Sequence, residues 1–267
     1  MPSNNKKGHK GKLTLVILII LCGLAGLGYY CINMIIDGNK EAIVQNKLIL
    51  ASGIKTDKAR YFIFKHYIKK RLLDLDSGML VEVDDVLTQG YQQHLASEDP
   101  AQSKSLSKKR DVAKIKRRAN WASIYLVFND AGKLQRFILP IHGSGGLLGT
   151  MSAFVGINTD AQHIESLIYY EQYETPGRGG KIEGERWRKQ WAGKSLFNDQ
   201  GEMAIKIVNE RPALENSKYE IDGVTGATMT SQAVQHSFDF WFGAQGYQPF
   251  LSNVQHKDKK LLLDLGL

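Results

Sequence analysis

Trp121-Ala122-Ser123-Ile124-Tyr125-Leu126-Val127-Phe128, then Asp130-Ala131-Gly132-Lys133, then Leu134-Gln135-Arg136-Phe137-Ile138-Leu139-Pro140-Ile141 sets the class of this chain. Two runs rich in β-branched and aromatic residues flank a turn that contains glycine, the pattern of a β-hairpin. Downstream, Ala153 to Asn158 and His163 to Tyr170 predict a second strand pair, and Ala204 to Val208 a further strand. Trp187 to Trp191 reads as a short helix, and Leu261 to Leu267 is apolar enough to pack as a terminal one. The class is α+β: an antiparallel sheet with packed helices, preceded by one N-terminal transmembrane helix.

Upstream of the hairpin the character is different. Leu13 to Ile36 carries no charged residue, and about 20 apolar residues suffice to cross a bilayer. Lys6, Lys7, Lys10 and Lys12 precede this run. The positive-inside rule therefore places the N-terminus in the cytoplasm and the main domain across the membrane. A cleaved signal peptide is the alternative, disfavoured by the length of the run and the lack of a small-residue cleavage site. Both cysteines, Cys22 and Cys31, lie within the run, so the rest of the chain has no disulfide and no thiolate chemistry. The helix is expected to continue to the Ser52-Gly53 break. Thr56 to Leu73 has helical periodicity, Gly78 to Asp84 alternates like a short strand, and Ser97 to Ser107 reads as a loop. Lys108 to Arg118 reads as a basic helix with Val112 and Ile115 as its apolar stripe. These features divide the chain into a cytoplasmic tail (1–12), a transmembrane helix (13–36), a helical membrane-proximal region (37–118) and an α+β domain (119–267).

The formal net charge is +8. Much of it lies in the N-terminal tail and in Lys108–Arg118, where it forms either a solvated face or a docking surface for an acidic neighbour. No aromatic interleaving points to base stacking, so no nucleic acid is expected. The glycines after His142 do not complete a dinucleotide fingerprint, and no phosphate-binding P-loop occurs. The histidines are scattered without ligand spacing, so no metal site is expected. No Gly-x-Ser-x-Gly elbow is present. His142, beside Gly143, is open to two readings, a cofactor cleft or a structural histidine.

Asp222-Gly223-Val224-Thr225-Gly226-Ala227-Thr228 carries the chemistry. Asp-Gly marks a turn, and Thr225 stands where a helix N-cap is expected. Val234, Phe238, Trp241 and Phe242 are spaced to share one face of the helix that follows. A helix N-terminus offers free backbone N–H groups and a partial positive charge, which favours a phosphorylated ligand held at or bonded to Thr228. A capped helix packing an aromatic face accounts for the same residues. Glu174-Thr175-Pro176-Gly177 is either a tight surface turn or a wall against a flat ring.

The Asp222–Thr228 segment resembles the Asp-x-x-Ser/Thr-Gly-Ala-Thr flavinylation motif of bacterial respiratory complexes. Five further segments, in the expected order, resemble the C subunit of the Na+-translocating NADH:quinone reductases. They are Lys116-Arg117-Arg118-Ala119-Asn120, Leu139-Pro140-Ile141-His142-Gly143, Tyr170-Glu171-Gln172, Glu174-Thr175-Pro176-Gly177 and Phe238-Asp239-Phe240-Trp241. In that family a flavin transferase joins the phosphate of FMN to the hydroxyl of the motif's last threonine, Thr228 here. The resemblance implies covalent FMN with Asp222, Thr225, Gly226 and Ala227 around the attachment point. It also places Glu174, Thr175, Gly177 and Arg178 against the flavin, and makes 119–267 the FMN-binding domain. It implies an electron relay from an iron–sulfur centre of neighbouring subunits to the FMN of the B subunit, and on to ubiquinone, coupled to Na+ export. The implied partners are subunits A, B, D, E and F, with the flavin transferase during maturation. The implied location is the bacterial inner membrane, single-pass, with a periplasmic C-terminal domain.

The chain departs from the family pattern at three places. Gly143-Ser144-Gly145-Gly146-Leu147-Leu148 lacks the family's tryptophan, Arg178 replaces a leucine, and Tyr173 replaces a glycine or histidine. The G subunit of Rnf-type ferredoxin:NAD+ complexes shares the motif and anchor, but the chain length and the Phe-Asp-Phe-Trp segment favour the Na+ pump. A membrane-anchored scaffold with no redox role is the alternative from a different class.

Overall fold

The computed structural model describes residues 36, 38–144, 149–209 and 216–267. The tail, the expected membrane helix except Ile36, both cysteines and Gly145-Gly146-Leu147-Leu148 lie outside the described residues. Among those described, no helix is long and apolar enough to cross a membrane. The chain forms two units, Met1–Asn46 and Lys47–Leu267. Helix α1 covers residues 38–52 and ends before Gly53, whose φ of +68° is the left-handed conformation that closes helices.

The second unit is built on a five-stranded sheet. Its strands are β1 (Ile68–Asp74), β4 (Trp121–Phe128), β5 (Leu134–Ser144), β6 (Thr150–Asn158) and β7 (Ile164–Glu171). They lie in the order β1-β4-β5-β6-β7, and every neighbouring pair is antiparallel. The hairpin read from the sequence is β4–β5, and its turn places Gly132 at φ +72°. The second strand pair is β6–β7. Alternation along the strands gives the sheet two apolar faces, because side chains point to opposite sides at successive residues. One face contributes Phe137, Leu139, Ile141, Ala153, Val155 and Leu167 to the main core. Helices α6 (Thr228–Trp241), α7 (Gln248–Gln255) and α8 (Lys259–Leu265) supply its other side; Phe250 of α7 meets Phe137 edge-on at 5.2 Å. The opposite face carries Ile68, Leu72, Ile138, Phe154 and Ile168, all buried. There Ser166 Oγ donates to the Ala51 carbonyl at the end of α1, at 2.8 Å.

The β4–β5 ladder runs from Phe128↔Leu134 to Tyr125↔Ile138. Beyond Ile138 two carbonyls of β5 take side-chain donors. Tyr247 Oη donates to Pro140 O and Trp241 Nε1 to His142 O, each at 2.6 Å. These bonds satisfy buried backbone oxygens and fix the C-terminal end of α6 against the sheet.

Three upstream expectations are corrected. The helical pattern of Thr56–Leu73 splits into α2 (Arg60–His66) and strand β1, because pairing with β4 over Ile68↔Val127 to Asp74↔Trp121 overrides local periodicity. Gly78–Asp84 forms no full strand; its one pairing is the bridge Leu73↔Leu80. Two short helices follow, α3 (Asp85–Gly90), capped by the Asp84 carboxylate, and α4 (Gln93–Glu98). Lys108–Arg118 is not a helix. Asp111 accepts from the N–H groups of Ile115 and Lys116 at 2.8 Å, Lys114 and Lys116 adopt positive φ, and β3 (Arg117–Ala119) pairs with β2 (Ser103–Ser105). Arg118 is almost fully buried and ion-paired to Asp76 at 2.6 Å. The strand pairs β1–β4 and β2–β3 both lie within the Lys47–Leu267 unit.

Candidate functional site

Strand β9 (Glu220–Asp222) runs parallel to β8 (Lys206–Val208), and Gly223 N donates to Val208 O at 2.8 Å. Val224–Ala227 then closes a turn through Ala227 N to Val224 O at 2.9 Å. Gly226, third in that turn, has φ +77°, while Thr225 does not adopt positive φ. That combination is a type II turn, which requires glycine at this position. Ser231 Oγ reaches back to accept from Val224 N at 3.0 Å.

Thr228 is the first residue of α6 and is exposed. The N-cap is Ala227, not Thr225, and no side chain caps the helix. The turn displaces Thr225 from the cap, because the chain reaches helical geometry only after the left-handed Gly226. The first N–H groups of α6 are left for an incoming acceptor, and the helix dipole favours an anionic one. Met229 beside it is 55 % exposed.

The second half of the site is the segment after β7. Thr175-Pro176-Gly177-Arg178 is also a turn, closed by Arg178 N to Thr175 O at 3.1 Å, with Gly177 at φ +75°. Proline at the second position presets φ, and glycine at the third permits the left-handed conformation. All four residues are exposed. Glu174 is not: its side chain is buried, and its Oε2 accepts from Thr230 Oγ1 at 2.6 Å. This bond joins the two turn-bearing segments, 56 residues apart in sequence. Gly179 sits directly against it, and a Cβ there would overlap both Glu174 Oε2 and Thr230 Oγ1. Burial raises the Tyr169 phenol well above its usual range, and the Glu174 charge adds to that rise.

A rigid base lies behind the exposed turns. Trp187, on α5 (Glu185–Arg188), donates Nε1 to Asp222 O at 2.9 Å, and Gln190 Oε1 accepts from Asp222 N at 3.0 Å. Trp191 stacks on Phe238 of α6 at 4.4 Å. The backbone of Asp222 is thus pinned while its side chain stays exposed.

The structure brings Glu174 to Thr230 in the first turn of α6, and Thr175, Gly177 and Arg178 follow Glu174 in the chain as Thr225, Gly226, Ala227 and Thr228 precede Thr230. His142 packs against Trp241 of α6. Its ring lies 4.7 Å from that of Trp241, and burial, reinforced by His94, depresses its pKa to about 4, so it is neutral at pH 7. Sequence reasoning missed Thr230, Gly179, Trp187 and Gln190 as members of this site. Thr230 lies two residues past the motif, but no local pattern ties it to a glutamate so far upstream.

A family model described as "FMN-binding domain" matches residues 146–242. The chain is similar to the C subunit of the Na(+)-translocating NADH-quinone reductase of Vibrio anguillarum, with 39% identity over 96% of this chain and 98% of that one. The same subunit of Yersinia pestis is 39% identical over 95% of this chain and 96% of that one. Among solved structures, NqrC of Shewanella oneidensis superposes with a TM-score of 0.74 at 32% identity, covering 82% of this chain and all of that one. The corresponding subunit from Parabacteroides distasonis shares the fold, with a TM-score of 0.59 at 21% identity, covering 81% of this chain and 96% of that one.

Proposed function

Because the chain belongs to the family of the C subunits of the Na+-translocating NADH-quinone reductases, we propose that it holds FMN covalently, through a phosphoester on Thr228. It is a subunit of a multi-subunit, membrane-associated translocase, and its cofactor is FMN. The observation that carries the attachment reading is the placement of Thr228: an exposed hydroxyl on the first turn of an uncapped helix. A phosphate esterified there lies beside free N–H groups and the positive end of the helix dipole, so the attachment geometry also neutralises the ligand's charge. The residues present fit the group. Glycine turns on both sides keep bulk away, and the Pro-Gly turn offers a rigid edge.

Each residue then has a task. During maturation Thr228 Oγ1 gives up its proton and bonds to the FMN phosphorus of a flavin dinucleotide held by the flavin transferase; the phosphoanhydride bond breaks and a nucleoside monophosphate leaves. The backbone at Gly226 and Ala227 gives the phosphate room, and the exposed Thr225 and Asp222 flank it. Thr175, Gly177 and the charge of Arg178 face the ring. When bound, FMN supplies the one-electron chemistry of a relay between an iron–sulfur centre in neighbouring subunits and the FMN of the B subunit, on the way to ubiquinone. Single-pass anchoring by Leu13–Ile36 keeps the domain on the periplasmic side, in a complex with subunits A, B, D, E and F. Covalent attachment suits that location, where a dissociated cofactor is not recaptured.

The test is co-expression of the full chain with a flavin transferase, followed by denaturing gel fluorescence and mass measurement of the Thr228 peptide. A fluorescent band carrying the mass of FMN on that peptide, absent in Thr228→Ala, is expected. A fluorescent band that persists in Thr228→Ala rejects the attachment site, and an unmodified peptide rejects the relay.

A further inference from the structure

We propose that Glu174 is a positioning residue, whose bond to Thr230 clamps the Thr175–Arg178 turn to the first turns of α6 so that the turn walls the flavin ring. This rests on the reading that Thr228 carries FMN. Four observations lead to it. The Glu174 carboxylate is buried, and among the described residues no cation pairs with it. Burying a carboxylate that lacks a counter-charge costs free energy unless hydrogen bonds offset it. Its bond to Thr230 Oγ1 is short, at 2.6 Å, as expected for a hydroxyl donating to a carboxylate. The turn that it fixes buries nothing in return: Thr175, Pro176, Gly177 and Arg178 are all exposed.

Gly179 is the fourth. Only glycine leaves space for Glu174 and Thr230 to meet, so the backbone is shaped around this contact. Thr230 lies two residues beyond Thr228, about 3 Å along the helix axis. The clamp therefore sets the separation between the attachment hydroxyl and the turn. A proline-glycine turn is rigid within itself. What it lacks is a fixed position relative to α6, and the Glu174–Thr230 bond provides one. Glu174 thus acts through the turn, with its Oε2 spent on Thr230. This differs from the direct flavin contact that the family resemblance implies for it.

The experiment uses the full chain, flavinylated by co-expression and purified in detergent. Visible circular dichroism reports how firmly the ring is held, and iodide quenching of flavin fluorescence reports how exposed it is. In Glu174→Ala and Thr230→Val, the protein is expected to stay folded and labelled on Thr228, with a lowered thermal midpoint where the buried carboxylate loses its donor. The visible dichroism should fall about threefold and the quenching constant rise about twofold, the loss expected when a supporting contact is removed. Thr230→Ser and Glu174→Gln keep a donor and an acceptor in place, and should restore both signals.

Labelled variants with unchanged dichroism and quenching overturn the proposal. So does a Glu174→Gln protein that behaves like Glu174→Ala, because the bond is then not the agent. A Thr230→Val protein that is unfolded or unlabelled also overturns it, since the bond would then serve folding or attachment. A wild-type chain without FMN on Thr228 signals a different failure, that of the attachment reading itself, and removes the proposal with it.

Discussion

The two ends of α6 are built on opposite principles. At the C-terminal end, Val234, Phe238, Trp241 and Phe242 are at most 1 % exposed, and the ring contacts run from Trp191 through Phe238 to Phe242 and Tyr247. The polar atoms of Trp241 and Tyr247 are spent on backbone acceptors, Trp241 Nε1 on His142 O and Tyr247 Oη on Pro140 O. At the N-terminal end, Thr228 and Met229 are exposed, no side chain caps the helix, and the preceding turn depends on a left-handed glycine. One end supplies apolar burial and the other supplies unused hydrogen-bonding capacity. The contrast explains how a single helix both stabilises the domain and presents an exposed threonine without trading one task against the other.

Separability of the two ends is the claim to break. Thr228→Ala should abolish covalent flavin altogether while moving stability by no more than about 0.5 kcal/mol, as expected of an exposed substitution. Urea unfolding of the unflavinylated protein beside gel fluorescence of co-expressed protein measures both quantities. Trp241→Ala should do the reverse. It removes a fully buried indole and its bond to His142 O, at a cost of about 3–5 kcal/mol, while the folded fraction at low temperature still accepts flavin. A Trp241→Ala protein that is stable, or a Thr228→Ala protein that is not, ends the comparison.

Acid titration sharpens the view of the buried end. His142 has a folded-state pKa depressed to about 4, whereas an unfolded histidine titrates near 6.5. Between those values the unfolded chain binds the additional proton, so stability falls as the pH drops from 7 towards 4. Between pH 7 and pH 5 the loss should be about 1–2 kcal/mol. In His142→Gln the difference in urea midpoints between the two pH values should shrink by that amount; an unaltered pH dependence would show that the imidazole is not held neutral.

The exposed end has its own probe. Ala227→Asp installs the missing cap and should stabilise the unflavinylated protein by about 1 kcal/mol. On the proposed attachment at Thr228, the same carboxylate would occupy the N–H groups beside the phosphate and repel it, so flavinylation should slow. Faster or unchanged labelling would mean that the free helix terminus takes no part in attachment. The smallest effect belongs to Arg178, whose exposed guanidinium faces the proposed ring position. Arg178→Leu removes a positive charge that favours the reduced, anionic flavin, so a redox titration should return a more negative potential; an unchanged value would remove Arg178 from the ring's surroundings.

Much of this was legible in the chain itself, where the physics is local. Alternating apolar residues on either side of a glycine turn predict β4–β5, and the same logic predicts β6–β7. The aromatic spacing of α6 marks its buried face before any packing is known, and the motif singles out Thr228. Local reading fails where a distant partner outweighs periodicity. Residues 68–74 look helical in isolation and become a strand because β4 offers them a ladder of backbone bonds. Lys108–Arg118 looks like a basic helix and is instead tied into turns by the Asp111 carboxylate. Thr225 looks like an N-cap until Gly226 moves the start of the helix.

The amino-acid sequence alone determined the class of fold, the order of most strands, the amphipathic helix and the threonine at its head, since each is a property of neighbouring residues. Only the tertiary structure decided that β1 joins the sheet, that Glu174 meets Thr230, and that Gly179 makes space for them. Those facts depend on register and close approach between segments far apart in the chain, which no local periodicity specifies.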